Sequence, residues 1–489
     1  MNKSMWLSLV LLGAMLSVAY VWFVSGTTAP ELDSSERLPG GEGSVSIKPF
    51  ASFMLPPTNM AEADRPNFHA GKALARQPWI KAPTITDARD GLGPIYNART
   101  CLACHLNGGR GVVPEQPDRM LVSGIVRLSI PGKNEHGEAL PEPVYGGQFQ
   151  SQSVALLHQL RGSAGIETTH DPKIVRPEGY VYIRWHEQNY TYPDGKTLRL
   201  QYPEIQIRNL GYGELHENVM TSLRNAPPIH GMGLLQGIAQ SDIDALADPD
   251  DADANGISGR VNIVWDFSSK RAVPGRFGWK ANSANIRDQV AGAFRGDVGI
   301  VNSVFPEQPC TSAQPACVHS PHGTDENGLE LADPLLKLAV DFTRSLAVPK
   351  RRKPEHELVM AGRENFYSVG CAECHQPSFT TMANADFPHL SEQKIWPYTD
   401  LLLHDMGQAL ADNRPDFDAS GSEWRTPPLW GVGLSKAVNG NNQLLHDGRA
   451  RNVEEAIIWH GGEAQASRDK FAALSQANRK ALIAFVRSL

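Results

Sequence analysis

Apolar residues recur with helical spacing in three segments of the chain. These are SANIRDQVAGAF, VEEAIIWH and SQANRKALIAFVRSL, which begin at Ser283, Val453 and Ser475. Apolar positions three and four residues apart form one face of a helix, so the pattern predicts an amphipathic helix in each segment. Strong strand patterns are few near the motifs described below, and the sequence therefore predicts a mainly α fold.

A different pattern lies in the first half of the chain. The stretch YVYIRWHEQNYTYPDGKTLRLQYPEIQI from Tyr180 alternates aromatic or branched residues with polar ones around a Pro-Asp-Gly-Lys turn. Alternation on both sides of a short turn predicts a β-hairpin. We place the hairpin in an insertion that spans about residues 110–200.

The N-terminus contains an uncharged apolar run from Trp6 to Val24. Its 19 residues exceed the usual apolar core of a cleaved signal peptide and nearly match a bilayer-spanning helix. We favour an inner-membrane anchor in residues 1–26 over a signal peptide cut after Gly26; both predict export to the periplasm of a bacterium. Residues 27–60 are then a linker, because their first part is rich in Gly, Ser, Glu and Pro.

Composition and charge narrow the functional classes. The 489 residues are 41% hydrophobic and 20% charged, which is typical of globular domains rather than of a disordered chain. The formal net charge is -7 and no basic block is present, so nucleic acid is not an expected partner. This length predicts about two to four domains.

Four of the six cysteines lie in two copies of the pattern C-x-x-C-H. This pattern is the attachment signature of a c-type haem, because two thiols three residues apart can bond its two vinyl groups while the next histidine ligates the iron. Redox pairs and zinc sites also contain C-x-x-C, but repetition of the whole pattern favours haem. The sequence predicts two covalently bound haems, held by Cys101, Cys104 and His105 and by Cys371, Cys374 and His375.

The other two cysteines, Cys310 and Cys317, flank the loop TSAQPA and have no adjacent histidine. Thiols of an exported protein tend to oxidise, so we predict a local disulfide between them. A redox-active pair is the alternative, and no neighbouring residue supports it.

Segments recur in the same order in both halves, which predicts an internal duplication. CLACH recurs as CAECH, and RNAPPIHGMGL from Arg224 recurs as RTPPLWGVGL from Arg425 with one residue inserted. YPEIQIRNLG is similar to YTDLLLHDMG, and GWKANSANIRDQVAGAFRGD is more loosely similar to DGRARNVEEAIIWHGGE. The prediction is two cytochrome c-like haem domains, residues 61–348 and 349–489, joined near VPKRRKP.

The ligand on the second face of the iron decides what each haem can do, because an open face can bind a small molecule. In the C-terminal half, His460 follows His375 by 85 residues in the apolar segment AIIWH, and a buried imidazole needs a partner. We predict His460 as this ligand. Met406 is the alternative, His404 is a weaker third candidate, and His460 as a core or surface histidine stays open.

The same register puts Arg295, which cannot ligate iron, at the matching position of the N-terminal half. That haem is expected to have an open face lined by Gln289 and Asp297, whose carboxylate can accept and return protons. Polar residues on helices also commonly just face solvent. His230 and Met232, beside the double proline, are candidates for closing this face.

Two further sequence features suggest electron transfer and calcium. Trp279 falls where the repeats place the DGR segment. A ring between two haems can assist electron transfer, although a tryptophan is more commonly a core residue. Asp251, Asp253 and Asn255 stand at alternate positions before a glycine, as in the first half of a calcium loop. The twelfth position is Asn262 rather than glutamate, so a solvated acidic loop is the alternative.

With these motifs the chain resembles the dihaem oxidoreductases related to bacterial dihaem cytochrome c peroxidases. The resemblance spans most of the chain and rests on NARTCLACH, GRFGWKA, YTDLLLHDMG, EWRTPPLWG and LHDGRARNVEEAIIWHGGEA. It implies one haem that takes electrons and one that reacts, often with calcium between them. In that family a distal ligand follows the DGR segment, which implies His460, and an acidic residue after a helix glutamine implies Asp297. The chain departs from the family in its long insertion, in having His460 at a position that is usually methionine, and in the register of Asp297.

The sequence therefore predicts an exported oxidoreductase that reduces hydrogen peroxide, or uses it to oxidise a partner, with electron-donor or electron-acceptor proteins as partners. A dihaem relay that only transfers electrons is the alternative. A third hypothesis is a binding module that presents haem to a periplasmic metal-uptake partner. Binding of carbon monoxide or cyanide separates the first two hypotheses, and redox cycling without turnover favours the third.

Overall fold

The computed structural model describes residues 28–48, 52–82, 84–85, 89–155 and 174–489. Helix makes up 29% and strand 18%, so the predicted mainly α fold is wrong. Among the described residues, six two-stranded antiparallel sheets lie between the helices. Most of these strands are short and several pair with segments far away in sequence, so local periodicity could not reveal them.

The three helices predicted from apolar spacing are present at Ile286–Ala293, Val453–Trp459 and Gln476–Ser488. The other described α-helices are Arg65–Arg76, Cys101–Cys104, Met232–Gln236, Gln240–Asp244, Pro315–Val318, Asp333–Arg344, Glu357–Ser368, Ser435–Asn439 and Gln465–Ala473. Single 3-10 turns lie at Ser34–Arg37, Gly41–Gly43, Glu62–Asp64, Leu106–Gly108, Cys371–Glu373, Pro388–Leu390, Val432–Leu434 and Gly462–Ala464, and a π-helical turn lies at Phe294–Val298. The strand pairs are Ile95–Tyr96 with Gln152–Ser153, Gly124–Ser129 with Met220–Asn225, Tyr180–Thr191 with Thr197–Arg208, Ile263–Asp266 with Arg271–Pro274, Phe379–Thr380 with Lys394–Ile395, and Leu403–Asp405 with Glu423–Arg425.

The predicted hairpin is present, with arms Tyr180–Thr191 and Thr197–Arg208 paired over their full length of 12 residues. It reaches from the insertion to the C-terminal half of the chain. Tyr192 and Leu200, near its turn, are buried in the same apolar cluster as Trp459. The hairpin therefore contacts the helix that precedes His460 in sequence.

The largest apolar core contains side chains from both halves. Phe294 and Leu336 of the N-terminal half pack with Ile395, Leu401 and Trp430 of the C-terminal half. Burial of these large side chains supplies much of the driving force that holds the halves together. The cavities described below therefore lie in one shared packed frame.

The two double-proline segments pack against each other beside this core. The glycines that follow them, Gly231 and Gly431, both have left-handed backbone, with φ of 76° and 74°. A Cβ atom at Gly231 would lie 2.3 Å from the Trp430 ring, and one at Gly431 would lie 2.9 Å from His230 Nε2. Glycine is required at both positions, because other residues rarely adopt this backbone conformation and a side chain would collide with its neighbours.

The similar segments that contain Tyr202 and Tyr398 do not occupy equivalent places. Tyr202 lies on the hairpin and is 38% exposed, whereas Tyr398 is 1% exposed in the C-terminal apolar cluster. Leu403–Asp405 pairs with the strand before the second double proline, but the strand before the first double proline pairs with Gly124–Ser129. The similarity of these two segments thus does not reflect a shared position in the fold.

Part of the predicted linker packs against the C-terminal half. Glu36 is buried, and its carboxylate forms ion pairs with the guanidinium groups of Arg351 and Arg363.

The predicted membrane-targeting segment, residues 1–26, lies outside the described part of the chain. Within the described part, no helix is both long enough and apolar enough to span a bilayer.

Candidate haem sites

Each C-x-x-C-H segment borders a largely apolar cavity. In both segments the histidine amide donates a hydrogen bond to the carbonyl of the first cysteine, at 2.9 and 3.0 Å. One tight turn therefore presents two thiols and an imidazole to the same space, as attachment of a haem requires. The N-terminal cavity is lined by Cys101, Cys104 and His105, and the C-terminal cavity by Cys371, Cys374 and His375.

The two motif histidines are oriented by backbone carbonyls. His105 Nδ1 donates to the Pro227 carbonyl at 2.7 Å, and His375 Nδ1 donates to the Tyr398 carbonyl at 2.9 Å. These bonds set the tautomer in which Nε2 keeps a lone pair for a metal. Burial lowers the pKa of both rings, that of His375 to about 4, so both are neutral near pH 7.

The motif cysteines lack the lowered pKa of a redox pair. All four thiols are free, and burial raises the pKa of Cys101 to about 11 and that of Cys371 to about 12. Reactive thiols have a lowered pKa instead. Within the described residues, no group of three metal-ligating side chains includes Cys101 or Cys104, whereas Cys374 forms such a group with Asp400 and His404. Both ring nitrogens of His404 are already bonded to carboxylates, so the geometry favours haem attachment over a zinc site there as well.

His460 lines the C-terminal cavity directly after helix Val453–Trp459. Its Nδ1 donates to the Ala456 carbonyl at 2.7 Å, which leaves Nε2 available in the same way as in His105 and His375. Burial lowers the pKa of His460, so this ring is also neutral near pH 7. Its geometry and charge state suit an iron ligand.

His404 and Met406 line the same cavity but differ in their capacity to bind iron. His404 Nε2 donates to Asp400 at 2.8 Å, and its Nδ1 donates to Glu463 at 2.7 Å. Burial opposes a charge there, but the hydrogen bonds to these carboxylates raise the pKa of His404 far above its usual value. A protonated imidazole has no lone pair for iron. Met406 is therefore the better alternative to His460.

Gln289 and Asp297 both line the N-terminal cavity. Gln289 lies on helix Ile286–Ala293, and Asp297 lies in the π-helical turn that follows it. Burial raises the pKa of Asp297, although a 2.8 Å hydrogen bond from Gln148 and the charge of Arg127 act in the opposite direction. The cavity wall thus carries a carboxyl group that is suited to proton exchange.

The helices Ile286–Ala293 and Val453–Trp459 both begin after an asparagine N-cap, so the two halves can be aligned at these caps. Asn285 and Asn452 each accept a hydrogen bond from the amide three residues later. The eighth residue after each cap is Ala293 (285 to 293) in the N-terminal half and His460 (452 to 460) in the C-terminal half. Alignment on the caps therefore places an alanine opposite the histidine.

Arg295, which the sequence register matched to His460, lies elsewhere. Its Nε donates to the Glu307 carbonyl at 2.8 Å, and it is not among the residues that line the N-terminal cavity, whereas Ala293 is. The sequence register is thus two residues out, because it pairs Arg295-Gly296 with His460-Gly461, whereas the caps pair Asn285 with Asn452. The methyl group of Ala293 cannot ligate iron, so this position leaves the N-terminal cavity open.

His230 and Met232 also line the N-terminal cavity. His230 is 3% exposed, its Nε2 donates to the Trp430 carbonyl at 3.2 Å, and burial lowers its pKa to about 4. Only its buried Nδ1 lacks a partner. Because Nε2, the more accessible nitrogen, is already used, His230 is arranged differently from the three histidines bonded through Nδ1.

Trp279 and Arg110 line both cavities. Trp279 is buried, its Nε1 donates to the Asn225 carbonyl at 2.9 Å, and the Arg110 guanidinium lies 5.8 Å from the centre of its ring. Two residues at this place have buried polar atoms without hydrogen-bond partners. In Arg110 these atoms are Nε and Nη1, and in Asn225 they are both polar atoms of the side-chain amide. Buried polar atoms need partners, and haem propionates would supply acceptors here. Together with the thiols and neutral imidazoles, these atoms fit a haem in each cavity.

The two remaining predicted sites lie apart from these cavities. The carboxylates of Asp251 and Asp253 lie close together and are joined by that of Asp248, whereas Asn255 directs its amide nitrogen toward Asp253 at 3.0 Å. Calcium at this cluster stays a prediction. Cys310 and Cys317 form a disulfide, with their Cα atoms 5.7 Å apart.

Three residues of the N-terminal cavity region were missed in the sequence. Gln148 follows a Pro- and Gly-rich loop, Arg110 follows the first motif in a segment with no periodicity, and Ala293 was displaced by the misaligned register. The shared asparagine and the acidic residue three positions later, in NIRD and NVEE, could have corrected that register. No local signal marks Gln148 or Arg110, because Arg110 reaches the cavities, and Gln148 reaches Asp297, only through the tertiary fold.

Residues 38–489 match the protein family described as di-haem oxidoreductase, putative peroxidase. The match covers the two C-x-x-C-H segments and nearly all of the described residues. No curated protein and no solved structure matches the chain.

Proposed function

The chain belongs to the di-haem oxidoreductase family, and from this premise we propose that it is an exported dihaem c-type cytochrome that reduces peroxide. Electrons enter from a donor protein, or from a partner that becomes oxidised. Bound haems would carry these electrons from the cavity lined by His460 to the cavity lined by Ala293 and Asp297, where peroxide would be reduced. The two unequal cavities carry this proposal, because a ligand-competent His460 lines one and Ala293 with Asp297 lines the other.

Covalent attachment is proposed for both haems. Cys101 and Cys104 would bond the haem that His105 ligates, and the second motif would hold the other haem in the same way. The neutral state of both motif histidines and the free thiols support this proposal. Such attachment in bacteria takes place outside the cytoplasm, and the disulfide between Cys310 and Cys317 also suits an oxidising compartment.

The chemistry at the N-terminal cavity needs a proton carrier. Reduction of one hydrogen peroxide consumes two electrons and two protons and yields two waters. Bound haem supplies the iron at which peroxide is held and the electrons that break its O–O bond. Asp297 in its ionised form would accept a proton from one peroxide oxygen and return it to the other, which leaves as water. Gln148 holds this carboxylate by its 2.8 Å hydrogen bond, and Gln289 supplies a second polar group to the same wall.

Trp279 is the proposed bridge between the haems. Its buried indole lines both cavities, and the hydrogen bond from its Nε1 to the Asn225 carbonyl fixes the plane of the ring. An aromatic ring that borders both cavities provides polarisable groups between them. The ring would thereby assist electron transfer without itself being consumed.

Carbon monoxide binding tests the proposal. The fully reduced protein should bind one carbon monoxide per chain, at the N-terminal haem, and should consume peroxide with two electrons from a donor for each molecule. Ala293→His should place an imidazole over that iron and abolish both activities, while Ala293→Val adds bulk without a ligand and keeps the N-terminal iron high-spin. A mature protein that binds neither carbon monoxide nor cyanide would leave only an electron-transfer relay.

A further inference from the structure

Arg110 is a buried cation that lacks an anionic partner among the described residues. The residue is 6% exposed, and its Nε and Nη1 atoms make no hydrogen bond. Burial lowers its pKa to about 10, and no neighbouring carboxylate counteracts that shift. A buried charge is strongly destabilising unless a partner satisfies it, so this side chain indicates a missing anion.

The place of Arg110 in the fold limits where that anion can be. Its carbonyl accepts a hydrogen bond from Asn439 Nδ2 at 2.8 Å, so the backbone of the N-terminal half is held here by the C-terminal half. Its side chain lines both cavities and lies over the ring of Trp279. An anion that binds Arg110 must therefore come from a molecule that occupies these cavities.

Arg425 provides a contrast within the same pair of cavities. It also lines both, and burial lowers its pKa to about 10 as well. However, its Nε donates to the Gly278 carbonyl at 3.0 Å and its Nη1 donates to the Thr426 carbonyl at 2.9 Å. Nε and Nη1 of Arg425 therefore have backbone carbonyl partners, whereas the same two atoms of Arg110 have none.

We propose that Arg110 donates hydrogen bonds to a propionate carboxylate of each haem and so links the two haems beside Trp279. The guanidinium carries five N–H groups in a planar fork and can serve two carboxylates on different edges. This inference rests on the proposed function, because it needs a haem in each cavity. A shared cation stabilises the reduced form of both irons and raises both reduction potentials.

The test is a mediated redox titration of the full-length mature protein with Arg110→Gln. Loss of the cation should lower both midpoint potentials while two haems per chain are retained. Arg119→Gln is the matched control, because it removes the same charge from an exposed position and should leave both potentials unchanged. A fall confined to one haem, or no fall at all, would overturn the shared role of Arg110.

A second variant keeps the inference testable if Arg110→Gln does not mature. Arg110→Lys keeps the charge but offers a single donor centre, so at least one propionate bending band should shift in the resonance Raman spectrum. Unchanged bands for both haems would overturn the inference. Fewer than two haems in the wild-type protein would instead contradict the proposed function, whereas two haems with unmoved potentials in Arg110→Gln would contradict only the role of Arg110.

Discussion

Three histidines in the two cavities share one hydrogen-bonding arrangement. In His105, His375 and His460, Nδ1 donates to a backbone carbonyl at 2.7 to 2.9 Å and Nε2 is left available. A backbone carbonyl cannot be lost by side-chain motion, so it orients each ring before any metal binds. His404, with a carboxylate on each nitrogen, serves instead as a fixed positive charge beside the C-terminal cavity.

Replacement of His460 tests the ligand of the C-terminal iron. His460→Ala should convert that haem from low-spin to high-spin, because its second ligand is removed, and electron paramagnetic resonance of the ferric protein would measure the change. Met406→Ala is the matched control in the same cavity and should leave the spectrum unaltered. The opposite result, with only Met406→Ala changing the spin state, would identify methionine as the ligand.

Replacement of Asp297 tests proton transfer at the N-terminal cavity. Asp297→Asn should lower peroxide turnover by roughly 10²- to 10⁴-fold, as expected for loss of an acid–base group, with haem content unchanged. Burial raises the pKa of Asp297, so wild-type turnover should fall with decreasing pH in a range above that of an ordinary aspartate, as the acceptor becomes protonated. Steady-state rates across pH measure both effects.

The control for this variant is Asp242→Asn, which removes an exposed carboxylate and should leave turnover and its pH profile unaltered. A wild-type rate and pH profile in Asp297→Asn would show that Asp297 carries no proton. Sequence reasoning predicted Asp297, Gln289 and His460 from the repeats and the family resemblance, and all three line the cavities. It missed Gln148 because nothing local connects a loop glutamine with a carboxylate 149 residues away.

At the scale of elements, the hairpin is anchored on the helix that precedes His460. Tyr192 Oη donates to Glu454 at 3.0 Å, and Lys196 Nζ donates to the same carboxylate at 2.7 Å. Asp194 in the turn accepts a hydrogen bond from Arg479 of the C-terminal helix. The insertion thus supports the helix that precedes His460.

Replacement of one side chain near the hairpin turn tests whether the hairpin stabilises this helix. Tyr192→Ala should lower the free energy of unfolding by about 3 kcal/mol, because it removes a buried aromatic ring together with its hydrogen bond. Denaturant unfolding followed at the C-terminal haem absorbance would measure the loss. Tyr202→Ala, at a 38% exposed position of the same hairpin, should cost about 0.5 kcal/mol. Equal losses in the two variants would contradict the anchoring role.

Elements differ in how well the sequence predicts them. The hairpin and three helices have strong local periodicity, and each lies where its pattern indicated. Gly124–Ser129 and Met220–Asn225 pair across about ninety residues, and their register depends on tertiary contacts rather than on alternation. The mainly α prediction failed because such strands, together with long irregular segments, build much of the frame around the cavities.

At the scale of the whole molecule, the two halves meet through buried charges as well as the apolar core. Arg224 and Lys280 of the N-terminal half pair with Asp412 at 3.2 and 2.8 Å, and Arg224 also pairs with Asp416 at 3.1 Å. Removal of one partner from such a network leaves an unpaired buried charge. The joint therefore holds the two cavities in a fixed relation, with Trp279 bordering both of them.

The proposed function requires that one polypeptide carries two covalently attached haems. The most direct measurement is the haem content of the full-length protein, purified from a host that attaches haem c, by the pyridine haemochrome method after extraction of non-covalent haem. We expect two haem c groups per chain, falling to one when Cys101 and Cys104 are both replaced by serine. Fewer than two in the wild-type protein, or haem that extraction removes, would overturn the proposed function.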